Sequence, residues 1–134
     1  MRVEKKQQLA RRRHWRVRKK VSGTAARPRM CVCFTNQNIH VQFIDDVKGV
    51  TLAAVSTTGK SVPDREKLAA NVKSAEVVGK LAAQAALDKG IQQVVFDRGA
   101  ARYHWSKGKG KDAPPVYGKV AALAQAARAA GLKF

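Results

Sequence analysis

Residues 30–57, MCVCFTNQNIHVQFIDDVKGVTLAAVST, carry the pattern that decides the fold. Residues 30–34 are continuously apolar, which is typical of a strand in the middle of a sheet. The turn signal Asn36-Gln37-Asn38 follows, and apolar residues then alternate with polar ones over residues 39–43, as in a strand with one wet face. A second turn leads into a third apolar segment at residues 51–57. The stretch therefore predicts a three-stranded antiparallel meander.

The residues that follow add two helices and a fourth strand. Good helix formers run from Pro63 to Lys89 and stop at Gly90, and residues 92–97 form another apolar strand segment. Because strand-helix-strand crossovers are right-handed, the fourth strand should run parallel to the third and lie beside the first. A last helix begins near Val120. The sequence thus predicts a mixed α/β fold whose four-stranded sheet has the order 3-2-1-4.

The chain length predicts the number of domains, and the charge distribution predicts which segments are basic. With 134 residues, the chain is long enough for one ordinary domain. Residues 1–30 hold twelve Lys or Arg and one acid, residues 31–97 hold seven of each, and residues 98–134 hold eight basic residues and one acid. We therefore expect a basic arm at residues 1–29 and a single α/β domain at residues 30–134 with a basic loop at 98–119. Such segregation indicates a polyanionic partner, with nucleic acid as the default.

Several other classes of protein fit the composition poorly. No apolar run is long enough for a membrane span, and the cationic start lacks the apolar block of a secretion signal, although an organellar transit peptide stays an alternative. Cys31 and Cys33 are expected to be buried thiols in a reducing compartment, since neighbours on one strand face suit no disulfide. The three histidines have no metal-ligand spacing, and we expect neither metal nor cofactor.

The sequence resembles a known family, the bacterial large-subunit ribosomal protein eighteen. The resemblance covers nearly the whole chain and rests on Arg16 to Lys20, Ser22-Gly23-Thr24, Arg27-Pro28-Arg29, Ile44-Asp45-Asp46 with Gly49, Thr51-Leu52-Ala53, Val94 to Gly99, Tyr103-His104, and the ending Ala127-Arg128 through Gly131-Leu132 and Phe134. It implies a ribonuclease-H-like α/β domain, 5S rRNA as the partner of the basic arm, and contacts with 23S rRNA and neighbouring proteins in the central protuberance of a cytoplasmic ribosome. Two departures are Ala100, where the family usually has glycine, and an apparent insertion from Trp105 to about Tyr117.

Three groups of residues are candidates for RNA contact. Guanidinium groups suit phosphates, aromatic rings stack on bases, and neutral polar groups can read riboses. The arm contributes Arg11, Arg12, Arg13, Trp15, Arg16, Arg18, Lys19, Lys20, Arg27 and Arg29. The first hairpin contributes Asn36, Asn38 and His40. The segment after the fourth strand contributes Arg98, Arg102, Tyr103, His104, Lys107 and Lys109. The arm should be mostly mobile alone, because it has no continuous apolar stripe.

For the three groups of residues, the alternatives are a solvated disordered tail, an ordinary hairpin with one solvent-exposed face, and a flexible inserted loop. For the whole protein, the alternatives are a DNA-compacting protein and a two-metal nuclease. The nuclease would use Asp45, Asp46 and Asp97, but adjacent strand residues point to opposite faces, and the first two carboxylates have the position of turn residues. Asp97 is expected to orient Arg98 or to cap a loop amide. We therefore expect a structural protein that is no enzyme and that binds RNA, with no membrane or DNA partner.

Overall fold

The computed structural model describes residues 1–110 and 112–134. In the described residues the helices are α1 (Val3–Arg18), α2 (Val72–Asp88) and α3 (Lys119–Ala129), with a short 3₁₀ turn at Arg65–Lys67. The strands are β1 (Arg29–Phe34), β2 (Ile39–Asp45), β3 (Val50–Ser56), β4 (Val95–Asp97), β5 (Trp105–Ser106) and β6 (Val116–Tyr117).

The main sheet has four strands in the order β3-β2-β1-β4. Strands β1 and β2 are antiparallel with Val32 opposite Val41, and β2 is antiparallel to β3 with one irregularity between Phe43 and Ile44. Strand β4 runs parallel to β1, and Phe96 pairs with Met30. The mixed α/β class, the meander, the strand order and the parallel orientation of the fourth strand are therefore confirmed.

One face of the sheet is covered by helices α2 and α3, and the core lies between these layers. Met30, Val32 and Phe43 point to this side and are at most 3 % exposed. The two helices approach each other closely: a methyl group at Gly79 would lie 2.5 Å from the carbonyl oxygen of Leu123. The small residues of α2 thus serve a close helix-helix contact as well as docking on the sheet.

The opposite face of the sheet is largely open. Residues paired in register share a face, so Cys31, Cys33, His40 and Gln42 lie together on this side. Cys31 is half-buried and Cys33 is exposed, so the prediction of two buried thiols was wrong. The physical reason is that α1 lies opposite this face of β1 with an open cleft between them, so it leaves the two thiols accessible.

Four element predictions need correction. The arm contains helix α1, which its lack of a continuous apolar stripe does not predict, so the described residues contain a third helix. Helix α2 begins after Asn71, nine residues or so beyond Pro63, because the Asn71 side chain accepts a hydrogen bond from the backbone N–H of Ser74 at 2.8 Å. Strand β4 is shorter than predicted, and the loop after it contains the β5-β6 hairpin, in which Trp105 pairs with Tyr117.

Candidate nucleic-acid interface

Helix α1 presents most of its cations to solvent. None of its residues is buried, and its half-buried residues form one stripe at helical spacing: Leu9, Ala10, Arg13, His14, Val17 and Arg18. Arg11, Arg12, Trp15 and Arg16 are exposed, and Trp15 keeps 61 % of its surface accessible. The helix therefore offers guanidinium groups and an aromatic ring on one accessible side. Lys19 and Lys20, just after the helix, are also exposed.

The end of α1 is attached to the sheet by one carboxylate. Asp46 accepts two hydrogen bonds from Arg18, each of 3.2 Å, and two from Arg29, each of 2.9 Å. The backbone N–H of Gly23 donates a fifth bond to Asp46 at 2.7 Å. The bonds from Arg29 and Gly23 hold the pKa of Asp46 well below its ordinary value. The carboxylate thus stays ionised and ties helix, connecting segment and strand together.

Arg29 continues this network into the interior. It is 7 % exposed, and its guanidinium donates a second ion-pair contact to Asp97 at 2.9 Å. The carboxylates, Asp46 foremost, raise the pKa of Arg29 against the effect of burial. The structure therefore places Arg29 inside the protein, away from the accessible cations with which the sequence grouped it. Arg18 is also committed to this network, with 32 % of its side chain exposed.

Gly23 is required by the close approach of two backbone segments. A Cβ atom at this position would overlap the backbone nitrogen of Arg29 and the carbonyl oxygen of Ile44. The residue also pairs twice with Asp46, because its carbonyl accepts a 3.0 Å bond from the Asp46 backbone N–H. A side chain here would therefore push the segment that follows α1 away from the sheet.

The remaining arm residues differ in their surroundings. Arg27 is exposed, and its Nε donates to the carbonyl of Val94 at 3.3 Å. Arg13 is half-buried, and its Nε is buried without a hydrogen-bond partner among the described residues. Arg27 is thus held against the end of the sheet by one bond, and the Nε of Arg13 is shielded from solvent.

The first hairpin offers fewer free groups than its sequence suggests. Asn36 is exposed. Asn38, in contrast, accepts a 2.9 Å bond from the hydroxyl of Thr57, and the His40 Nδ1 lies 2.8 Å from the hydroxyl of Ser56. Asn38 and His40 therefore join β2 to the end of β3. This polar edge adjoins the open sheet face.

The segment after β4 begins with a tight turn at residues 97–101. Asp97 accepts a 2.8 Å bond from the backbone N–H of Gly99, whose φ is +59°. The amide cap predicted for Asp97 is thus confirmed, but its arginine partner is Arg29 and not Arg98. Arg98 instead donates to the carbonyl of Ala101.

Beyond this turn, the aromatic candidate Tyr103 is packed against the protein, whereas the basic candidates are exposed. Tyr103 packs edge-on against Phe96, and its hydroxyl accepts a 3.3 Å bond from Arg128. Arg102, His104, Lys107 and Lys109 are exposed. Lys111, the third lysine of the glycine-spaced series, lies outside the described residues. The loop thus adds exposed cations to those of α1.

The carboxylates proposed for the nuclease alternative have other partners. Asp45 accepts hydrogen bonds from the backbone N–H groups of Val47 and Lys48, as expected for a turn residue. Asp46 and Asp97 are both paired with Arg29. Among the described residues, no three His, Cys, Asp or Glu side chains are grouped as metal ligands would be. The described helices also include none whose length and apolar character would let it cross a membrane.

Comparison with known proteins extends the resemblance seen in the sequence. Residues 4–134 match the family model described as ribosomal L18 of archaea, bacteria, mitochondria and chloroplasts. The chain is 48 % identical to large ribosomal subunit protein uL18 of Microcystis aeruginosa, over 100 % of both chains. It is 47 % identical to uL18 of Clostridium novyi, over 98 % of this chain and 97 % of that one. It is 50 % identical to uL18 of Lactobacillus delbrueckii subsp. bulgaricus, over 96 % and 95 %. These full-length matches show that the chain belongs to the L18 family of ribosomal proteins.

Proposed function

We propose that this chain is a structural component of the large ribosomal subunit that binds 5S rRNA and helps attach it to 23S rRNA in the central protuberance. Membership of a family of structural ribosomal proteins supports a non-catalytic role in translation. The ribosome of the cytoplasm is the corresponding location. Neighbouring proteins of the protuberance are the further partners that this proposal includes.

The observation that carries the RNA-binding part is the exposed cationic side of α1. Arg11, Arg12 and Arg16 are exposed, and the helix contains one acid, Glu4, at its first turn. Arginine forks match phosphate geometry, and duplex RNA is recognised mainly by shape and backbone contacts. We infer that this side of α1 lies along the RNA backbone, with Arg18 and Arg29 fixing the helix on the sheet.

The polar edge of the first hairpin and the segment from Arg98 to Lys119 complete the proposed interface. Asn36 and the exposed cations Arg102, Lys107 and Lys109 are free to reach RNA. We assign the hairpin to 5S rRNA and the loop to the same RNA or to adjoining 23S rRNA. The arm, residues 1–29, and the domain, residues 30–134, would then bind as two parts with different tasks.

The test is a triple substitution that removes charge but keeps the network around Asp46. Arg11, Arg12 and Arg16 are replaced by Gln, and the matched control replaces the exposed residues Lys60, Lys73 and Lys80 by Gln. Binding to 5S rRNA is measured by filter retention over a series of salt concentrations. Each lost phosphate contact should reduce the slope of log affinity against log salt by about 0.7 to 0.9.

We expect weaker binding and a smaller slope for the arm variant, with wild-type behaviour for the control. An excess of unrelated structured RNA and of duplex DNA serves as competitor. Equal losses in the two triple variants would mean that only net charge matters. Unchanged affinity of the arm variant would remove α1 from the interface.

A further inference from the structure

A cleft of about 380 Å³ separates helix α1 from the open face of the sheet. Its walls come from three segments: one side of α1 around Arg11 and Trp15, strand β1 at residues 31–34, and the turn at residues 98–101. The volume lies in the lower part of the range of about 300 to 1,000 Å³ that is usual for small-molecule sites. The cleft is therefore large enough for a group of nucleotide size.

The walls of this cleft combine apolar and cationic groups. Cys31, Cys33 and Phe34 form the side belonging to the sheet, and Trp15 and His14 provide rings from the helix. Among the described residues, Arg11 and Arg98 are the charged members of the lining, and no Asp or Glu side chain belongs to it. One guanidinium nitrogen of Arg98 is bound to the carbonyl of Ala101, and a guanidinium has further N–H donors for an anion.

The carboxylate of Asp97, which precedes Arg98 in the chain, does not change this charge balance. Asp97 is fully buried beside Cys31 in the strand register, and its two oxygens accept bonds from Arg29 and from the Gly99 N–H. Burial, and secondarily the charge of Asp97, raises the pKa of the Cys31 thiol, so this thiol stays neutral. The cleft therefore offers an apolar and aromatic interior with a positive rim.

We propose that this cleft receives a single unpaired nucleotide of the bound rRNA, with its base beside Trp15 and its phosphate between Arg11 and Arg98. This inference rests on the proposed RNA-binding function. A nucleotide is the component of RNA that joins a flat ring to a negative charge, and single-stranded positions are recognised by stacking on aromatic rings and arginine. The lining, which lacks carboxylates, complements that charge. Helix α1 thus acts on both the RNA backbone and one extruded base.

The first experiment compares affinities for unmodified 5S rRNA transcripts. Trp15→Ala removes the ring, and Val77→Ala is the control because Val77 is an exposed apolar residue of α2, at 39 %, that lies outside the cleft and outside the segments assigned to RNA. Loss of one base-aromatic stack should weaken binding by about 5- to 150-fold. The salt dependence of Trp15→Ala should equal that of wild type, because the phosphate contacts stay.

Filling the cleft is an independent variant. Cys33 is exposed, so Cys33→Trp places a large ring in the cleft without entering the core, and Cys33→Ser is its control. We expect Cys33→Trp to weaken binding within the same range and Cys33→Ser to bind as wild type. Melting curves of both proteins verify the fold.

A crosslinking measurement gives a result that does not depend on any substitution. Wild-type protein is irradiated with 5S rRNA that contains 4-thiouridine, and the crosslinked tryptic peptides are identified. Crosslinks from one uridine position, or from its direct neighbours, to residues 30–48 and to α1 would support the cleft. Crosslinks confined to other surfaces, or wild-type affinity of both Trp15→Ala and Cys33→Trp, would overturn it. If wild-type protein does not bind 5S rRNA at all, the proposed function fails instead.

Discussion

At the scale of single residues, Asp46 decides which arginines are free for a partner. It binds Arg18 from α1 and Arg29 from β1, and Arg29 reaches on to Asp97 in β4. Two carboxylates and two guanidinium groups therefore neutralise each other where the end of α1 meets the sheet. Removal of one partner from such a cluster leaves a charge without compensation, which costs more than the pair itself contributes.

We expect Asp46→Asn to lower the free energy of unfolding by about 1.5 to 3 kcal/mol, the usual range for hydrogen bonds to a charged group. The control is Asp64→Asn, because the Asp64-Lys67 pair has side chains that are 73 % and 81 % exposed, and such pairs contribute little. Urea unfolding at neutral pH measures both. Equal stability of wild type and Asp46→Asn would show that the network does not hold the structure.

The same carboxylate makes stability depend on pH in one direction. Since the folded-state pKa of Asp46 is lowered, its contribution is fully present above the pKa of an unfolded Asp, about 3.9. The contribution is lost as the pH falls from there through the folded-state pKa. Urea midpoints should therefore fall more steeply on acidification in wild type than in Asp46→Asn. Parallel midpoint curves for the two proteins would contradict this.

Gly23 offers a steric test of how the arm is joined to the sheet. A methyl group in Gly23→Ala would overlap the backbone at Arg29 and Ile44, so the segment has to move and its two bonds to Asp46 weaken. We expect a loss of about 1 to 3 kcal/mol, as for other overpacked sites. Ser22→Ala, at the exposed neighbouring position, should be neutral. Thermal melting compares them, and a neutral Gly23→Ala would mean that the backbones can separate freely.

At the scale of elements, the strands could be predicted and two helix features could not. The apolar pattern of residues 30–57 is local, and local pattern is enough to place β1, β2 and β3. Pro63 looks like a helix start, but the chain makes only a 3₁₀ turn there before Asn71 caps α2. Helix α1 lacks a continuous apolar stripe, and its attachment depends on Asp46, a residue 28 positions away from Arg18. Periodicity contains no information about that pairing.

The N-terminal cap of α2 can be tested by substitution of Asn71 alone. Asn71→Ala removes the acceptor for the Ser74 N–H and should cost about 1 kcal/mol, whereas Asn71→Asp keeps an oxygen in place and should retain most of the stability. Urea unfolding of the three proteins gives the comparison. If alanine and aspartate variants were equally stable, the hydrogen bond would not determine where α2 begins.

At the scale of the whole molecule, the sequence predicts in which segments the cations lie. It does not predict which of those cations are exposed and which are paired within the protein. The counts along the chain place the cations at both ends, but only tertiary pairing shows that Arg29 is internal while Arg11 and Arg16 are exposed. The same holds for the hairpin, where Asn36 is free and Asn38 is bound to Thr57. A candidate interface predicted from composition therefore mixes two kinds of residue. Some are bonded within the protein and support the surface, and others are exposed and can contact a partner.

The net charge of +18 also predicts how the free protein responds to salt. Like charges four residues apart on α1, such as Arg12 and Arg16, repel each other, and a large net charge opposes the compact state. Raising KCl from about 0.01 M to about 1 M shortens the Debye length from about 30 Å to about 3 Å, while the partly buried bonds of Asp46 are screened much less. The melting temperature should therefore rise with salt. The variant with Gln at positions 11, 12 and 16 should show a smaller rise in melting temperature. An equal rise in this variant and in wild type would mean that the repulsion does not come from α1. A melting temperature of wild type that falls with salt would mean that attraction between charges outweighs repulsion.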